Sequence, residues 1–97
     1  MDRLGALEFD WDKGNIDKSF VKHGITPNQS EEIFLDESLL VVRDVQHQQS
    51  EDRWIAVGVT FQRQLLFVIF TMRGKKLRVI SARKANKKER VSYEQSA

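Results

Sequence analysis

The sequence predicts a small α+β domain of two layers: an antiparallel four-stranded sheet, N-terminal helices on one face and a C-terminal helix. Three observations lead there. Two capped helix starts fall in the first third of the chain. From Ser38 onward the apolar pattern changes to period two, and the connections between these later segments are short, which favours an antiparallel meander. With 97 residues, the chain has room for one core, burying roughly 60% of its unfolded surface, so residues 1–97 are expected to form a single domain.

Leu7 and Phe9 are compatible with a short opening strand. Asp12 then offers an N-cap, Trp11 and Ile16 can form a hydrophobic staple, and Ile16 and Phe20 share a helical face. A helix from Lys13 to His23 is expected, closed by Gly24 in a left-handed cap. Thr26, Pro27 and Gln29 announce a second helix, with a capping box and proline in its first turn, running to about Leu35 and burying Ile33 and Phe34. Ser38 to Arg43 reads as a strand and Val45 to Asp52 as a polar loop. Arg53 to Phe61 alternates, with Ile55, Val57, Val59 and Phe61 on one face and Trp54, Ala56 and Gly58 on the other. Gln62-Arg63-Gln64 is a turn without the Asn-Gly chemistry of tight hairpins. Leu65 to Phe70 is continuously apolar, as a central strand requires. Arg73-Gly74-Lys75 makes the next turn, and Leu77 to Ala82 the last strand. Asn86 caps the final helix, with Glu89 at the capping-box position. Trp11 and Trp54 are expected in the core. Arg73 or Arg83 should join Arg43 and Asp44 at one sheet end, depending on register.

The net charge of +2 conceals an asymmetry. Residues 1–52 carry five Lys/Arg against twelve Asp/Glu, whereas residues 53–97 carry eleven against two. A half this basic suits a polyanion or an acidic partner, unless the halves neutralise one another in the fold. There is no cysteine, which excludes a disulfide scaffold and thiolate metal sites and fits a reducing compartment. No apolar run reaches the roughly 20 residues of a membrane span, and the N-terminus lacks the pattern of a signal peptide. A cytoplasmic protein without membrane contact is expected.

Signatures that depend on spacing are missing. His23 and His47 are far apart in sequence and pre-form no metal site, the glycines are dispersed, and no GxSxG elbow occurs. No cofactor is expected. Cations and a few proton-transfer groups remain. RNA can be cleaved with these alone, because its 2′-hydroxyl is the nucleophile and the protein supplies a base, an acid and charge at the phosphorane. Arg53, Arg73, Arg78 and Arg83 are candidates for the charge, since the arginine fork matches phosphate. His23, Lys22, Glu51 and Tyr93 are candidates for proton transfer. Each has a plainer alternative. His23 can complement a helix C-terminus, Lys22 can be a solvated cation, and Glu51 and Arg53 can form a loop ion pair. Arg78 either snorkels from the core or points into a cleft. Lys84, Lys87, Lys88 and Arg90 add non-specific attraction for nucleic acid, and Glu89 also serves as a helix cap.

Four motifs, in order, add a resemblance. FDWDKGNIDKSFVKHGIT resembles the opening of the BrnT toxin family, with its F-x-W-D, helix and K-H-G. EDRWIAVG resembles that family's E-x-R-W-x-x-x-G, and LRVISARKANKKERVSYE its R-I-I-S-A-R-x-A, E-R and Y-E elements. The likeness spans Phe9 to Glu94. It implies a RelE-like fold, a ribonuclease toxin of a type II toxin–antitoxin system that inhibits translation, and a BrnA-like ribbon-helix-helix antitoxin through which DNA is met only indirectly. By motif position, the functional residues it implies are Lys22, His23, Glu51, Arg53, Arg78, Ser81, Arg83, Glu89, Arg90 and Tyr93. Val91-Ser92 departs from the more basic residues usual there, and Gln62-Arg63-Gln64 from a glycine-containing turn. The expected function is metal-independent RNA cleavage, with His23, Glu51, Arg78, Arg83 and Tyr93 catalytic and Lys22, Arg53, Arg73, Lys84, Lys87, Lys88 and Arg90 binding RNA. The alternative is a non-catalytic module that binds RNA or antitoxin with the same basic face.

Overall fold

The computed structural model describes residues 7–45 and 51–97. Among these, five strands form one mixed sheet with three helices. The strands are β1 (Glu8–Phe9), β2 (Leu40–Arg43), β3 (Trp54–Val59), β4 (Leu65–Arg73) and β5 (Lys76–Lys84), in the spatial order β1-β5-β4-β3-β2. The helices are α1 (Lys18–His23), α2 (Pro27–Glu32), which continues into a 3-10 turn at Ile33–Leu35, and α3 (Lys87–Ser96).

β2 to β5 form the antiparallel meander expected from their short connections. The four-stranded antiparallel sheet is nevertheless corrected to five strands, because β1 adds to the outer edge of β5 in parallel. The short opening strand expected at Leu7 and Phe9 is present as β1, but two residues carry no sign of their partner, which lies at the far end of the chain. β4 and β5 also run to the tip of their hairpin, since Gly74, at φ +63°, supplies the left-handed residue of a two-residue turn between the paired Arg73 and Lys76. The register carries Arg73, not Arg83, to the end of the sheet that holds Arg43. At the β3–β4 turn Arg63 adopts φ +68° where glycine would be strain-free. The turn holds because Arg63 N–H donates to Thr60 O and Thr60 N–H to Gln64 O, both at 2.9 Å.

The core lies on one face of the sheet. Leu66, Val68 and Phe70 of β4, Leu77, Val79 and Ala82 of β5 and Ala56 of β3 meet Ile25, Ile33 and Phe34, with Phe34 edge-on to Phe70 at 5.4 Å between centroids. Trp11 and Trp54 pack against this cluster, as expected. The α2 capping box forms: Gln29 N–H donates to Thr26 Oγ1 and Thr26 N–H to the Gln29 side chain. Gly24 is the left-handed cap of α1, at φ +73°.

The first helix is shorter than the Lys13–His23 expected, because residues 13–17 form turns. Asp12 and Asn15 compete for the backbone there: Gly14 N–H donates to Asp12 Oδ1 and Asp12 N–H to Asn15 Oδ1, each at 2.8 Å. Asp17, not Asp12, occupies the cap position. The face that Ile16 and Phe20 were expected to share is turned to solvent, since both are exposed while Ser19 is buried. Trp11 is held by an indole N–H donated to Glu31 at 2.7 Å. Nor do the helices share one face, because α1 lies along the outer edge of β5. Phe61 leaves the β3 alternation at the turn and is exposed.

Gly58 lies where the turn after α2 comes close against the sheet. A β-carbon there would stand 3.1 Å from the Ile33 carbonyl oxygen and 2.9 Å from Leu39 Cδ1. Gly58→Ala is therefore expected to cost about 1–3 kcal/mol from overpacking, read as a lower urea midpoint at unchanged m-value. An unchanged midpoint would show that the turn is not packed this closely.

Candidate nucleic-acid cleft

β1 ends after two residues, yet the outer edge of β5 continues and must be satisfied. Asp10 N–H donates to Leu77 O at 2.9 Å. Asn15, buried, next donates Nδ2–H to Val79 O at 3.0 Å. Ser19 Oγ then accepts from Ala82 N–H at 2.8 Å. These contacts lay the turn before α1, and α1 itself, along β5. The register shift between Ile69 and Phe70 leaves Ile80 as an extra residue in β5 at this point, which bends the strand and re-aims its side chains.

A cleft of about 460 Å³ opens between α1 and the sheet. Lys18, Lys22 and His23 line it from α1, Arg53 from the entry to β3, and Ser81 and Arg83 from β5, over a floor of Ile69 and Ile80. By strand alternation Ile69 faces away from the core residues Val68 and Phe70, so the cleft occupies the opposite face of the sheet. Four cations and an imidazole surround an apolar floor, with no carboxylate in the lining. Such a site favours a phosphate. A hollow of similar size, about 470 Å³, lies elsewhere, but Leu7, Phe34, Leu35, Phe61 and the carboxylates of Glu31 and Glu32 are among its lining residues. Its charge is wrong for a polyanion.

Arg83 is the most constrained of these cations. Its guanidinium carbon lies 4.0 Å from the centroid of the Phe67 ring, and Nη1 and Nη2 donate to the two oxygens of Glu89 at 2.9 and 2.8 Å. Burial would raise the Glu89 pKa, but the hydrogen bond from Arg83, the Asn86 N–H and the Arg83 charge outweigh it and hold the carboxyl below its ordinary value.

The cleft thus brings together Lys22, His23, Arg53, Ser81 and Arg83 from the sequence candidates. It does not include Glu51, Arg78 or Tyr93. Glu51 lies 3.8 Å from Arg73 at the other end of the sheet. Arg78 spans both oxygens of Asp12 at 2.9 and 3.1 Å and lies 3.5 Å from Asp10. The hydrogen bond to Asp12 outweighs burial and raises its pKa further. The Tyr93 hydroxyl donates to Asp36 Oδ2 at 2.5 Å. Lys84, Lys87, Lys88 and Arg90 are exposed on β5 and α3 and do not line the cleft. His47 lies outside the described residues. Sequence reasoning passed over Lys18, whose i, i+4 spacing from Lys22 was the available signal, and Asn15 and Ser19, whose backbone contacts span 64 and 63 residues. Among the described residues no group of three His, Asp or Glu side chains is placed to hold a metal ion, and no helix is long and apolar enough to cross a membrane.

A family model described as "Ribonuclease toxin, BrnT, of type II toxin-antitoxin system" matches residues 11–89. Among solved structures, the crystal structure of the Brucella abortus ribonuclease toxin BrnT is similar to this chain, with a TM-score of 0.63 and 28% identity. The match covers 84% of this chain and 99% of that one. No curated protein matches the chain.

Tyr93 is the single tyrosine, so its ionisation is directly readable. Burial, and then the hydrogen bond and charge of Asp36, push its pKa up to about 12. Absorbance titration should show ionisation near that value, and Asp36→Asn should bring it back toward 10.0. Because the folded value is raised, the stability it contributes is complete below the unfolded pKa and is lost as pH climbs through about 12. Wild-type ionisation near 10.0 would mean that the Tyr93–Asp36 contact is not formed.

Proposed function

The chain belongs to the BrnT family of ribonuclease toxins of type II toxin–antitoxin systems, and from that premise we propose that it cleaves RNA in the cleft between α1 and β5. The convergence of Lys22, His23, Arg53, Ser81 and Arg83 around one hollow is the observation that supports this reading. The 2′-hydroxyl loses its proton to a base and its oxygen attacks the adjacent phosphorus. The bond from phosphorus to the 5′-oxygen then breaks, and that oxygen takes up a proton. The products are a 2′,3′-cyclic phosphate and a 5′-hydroxyl.

His23 is the cleft's proton-transfer group, since it is the one imidazole in the lining and one imidazole nitrogen can accept a proton and the other return it. Lys22, Arg53 and Arg83 carry the charge that builds on the phosphorane. Ser81 offers a hydroxyl to the sugar or phosphate. The chemistry requires no metal, because the substrate brings its own nucleophile and the cations stabilise the charge. Arg78 and Tyr93 act in this reading by holding the chain around the cleft: Arg78 ties β5 to the turn before α1, and Tyr93 ties α3 to Asp36. Glu51 has no part in proton transfer. Lys84, Lys87, Lys88 and Arg90 attract the RNA backbone without selecting a sequence.

A type II system implies an antitoxin partner. We assign it as a small acidic protein of BrnA-like, ribbon-helix-helix type that covers the basic half of this chain. Contact with DNA then runs through the antitoxin.

Antitoxin-free protein given RNA and chelator, with and without ribosomes, should produce 2′,3′-cyclic phosphate ends. His23→Ala and Arg83→Ala are each expected to slow cleavage by about 10²–10⁴-fold at unchanged circular dichroism. Binding that weakens with salt but yields no cyclic phosphate would instead identify a binding module and overturn the catalytic reading.

A further inference from the structure

Arginine has five N–H donors, and the structure accounts for most of those on Arg83. Nη1 donates to Lys84 O at 3.1 Å and to Glu89 Oε1 at 2.9 Å, and Nη2 gives one hydrogen to Glu89 Oε2 at 2.8 Å. The remaining donors are Nε–H and the second hydrogen of Nη2. They lie side by side on one edge of the guanidinium and have no partner among the described residues. Two parallel N–H groups on one edge are the arrangement that grips two phosphate oxygens at once.

Glu89 is itself fixed before it meets Arg83. It holds the N3 position of α3, where Oε1 accepts from Asn86 N–H at 2.9 Å and its own N–H donates to Asn86 Oδ1 at 2.8 Å. Phe67, beneath the guanidinium, limits its tilt. The cap sets the carboxylate, the carboxylate sets the end of the guanidinium, and the ring sets its plane. The Glu89 side chain is only 17% exposed, so little water competes for it.

We propose that Glu89 is a positioning residue for RNA cleavage: held by the α3 cap, it occupies the end of the Arg83 guanidinium and so presents the Nε–Nη2 edge to the scissile phosphate. This rests on the assignment of RNA cleavage to the cleft. It has a consequence that charge alone contradicts. Removing a carboxylate beside a polyanion site should improve binding on electrostatic grounds, whereas loss of positioning lowers turnover.

Glu89→Gln tests this while sparing the helix, because Gln29 shows that glutamine completes a capping box in this fold. The expected result is kcat lower by about 10- to 100-fold, with KM unchanged or lower and helix content retained. Phe67→Leu should lower kcat in the same sense. In wild-type protein the Arg83 Nε–H resonance should shift when a 2′-deoxy dinucleotide, which cannot be cleaved, is added. In Glu89→Gln that shift should shrink or broaden away. Wild-type kcat in Glu89→Gln, with Arg83→Ala inactive, overturns the positioning role and leaves the cleft assignment standing. Full activity in Arg83→Ala overturns the cleft assignment itself. If Glu89→Gln does not fold, the wild-type resonance decides: an Nε–H that stays unmoved under saturating dinucleotide refutes the proposal.

Discussion

The outer edge of β5 is the constraint on which the rest of the site depends. A strand edge must find hydrogen-bond partners, and here β1 covers only Lys76 and Leu77. Asp10, Asn15 and Ser19 complete the edge, two of them with side chains rather than a strand. That substitution has a geometric result. A longer β1 would have extended the sheet, whereas these side chains bring a helix end alongside β5, with Lys22 and His23 beside Ser81 and Arg83. The same strand carries Arg83 back to Glu89 of α3, so β5 joins α1, which lines the cleft, to α3.

Crowding Lys18, Lys22, Arg53 and Arg83 into one hollow carries a repulsive cost, which the chain offsets unevenly. Arg83 is paired with Glu89 and stacked on Phe67, which keeps it ordered without hiding all its donors. Lys22 and His23 stay exposed on α1, where solvent screens them. Outside the cleft, charge serves attachment. Asp12 binds Arg78 through both oxygens, and that hydrogen bond, the largest of several causes, holds its carboxyl below the ordinary value. Asp36 accepts from Tyr93, Val59 and Ser38. Burial alone would raise its pKa, but these bonds lower it on balance.

How much of this was legible in the sequence depends on how local the cause is. Both capping boxes and the Gly24 cap were readable because each is decided within four residues. The meander was readable because alternation and short turns fix neighbours. The start of α1 was misread because Asp12, Gly14 and Asn15 carry a helix-cap pattern yet bind each other's backbone, and because the apolar spacing of Ile16 and Phe20 faces solvent. The parallel pairing of β1, the Asp12–Arg78 pair and the Asn15 and Ser19 contacts join residues more than 60 apart, beyond any periodicity. In the cleft, the residue types were legible and their grouping was not. The motif glycine Gly58 lies where a β-carbon would crowd Ile33 and Leu39, and the Tyr93 hydroxyl donates to Asp36; neither contact could be read from the motif.

The most direct measurement is a crystal structure of the protein with a 2′-deoxy dinucleotide, which retains the phosphate but lacks the nucleophile. The phosphate should lie between α1 and β5, with two of its oxygens on Nε and Nη2 of Arg83 and with Lys22 and His23 within hydrogen-bond reach. A phosphate bound instead on the exposed lysines of α3, or at the other end of the sheet beside Arg73, with the cleft vacant, would contradict the account.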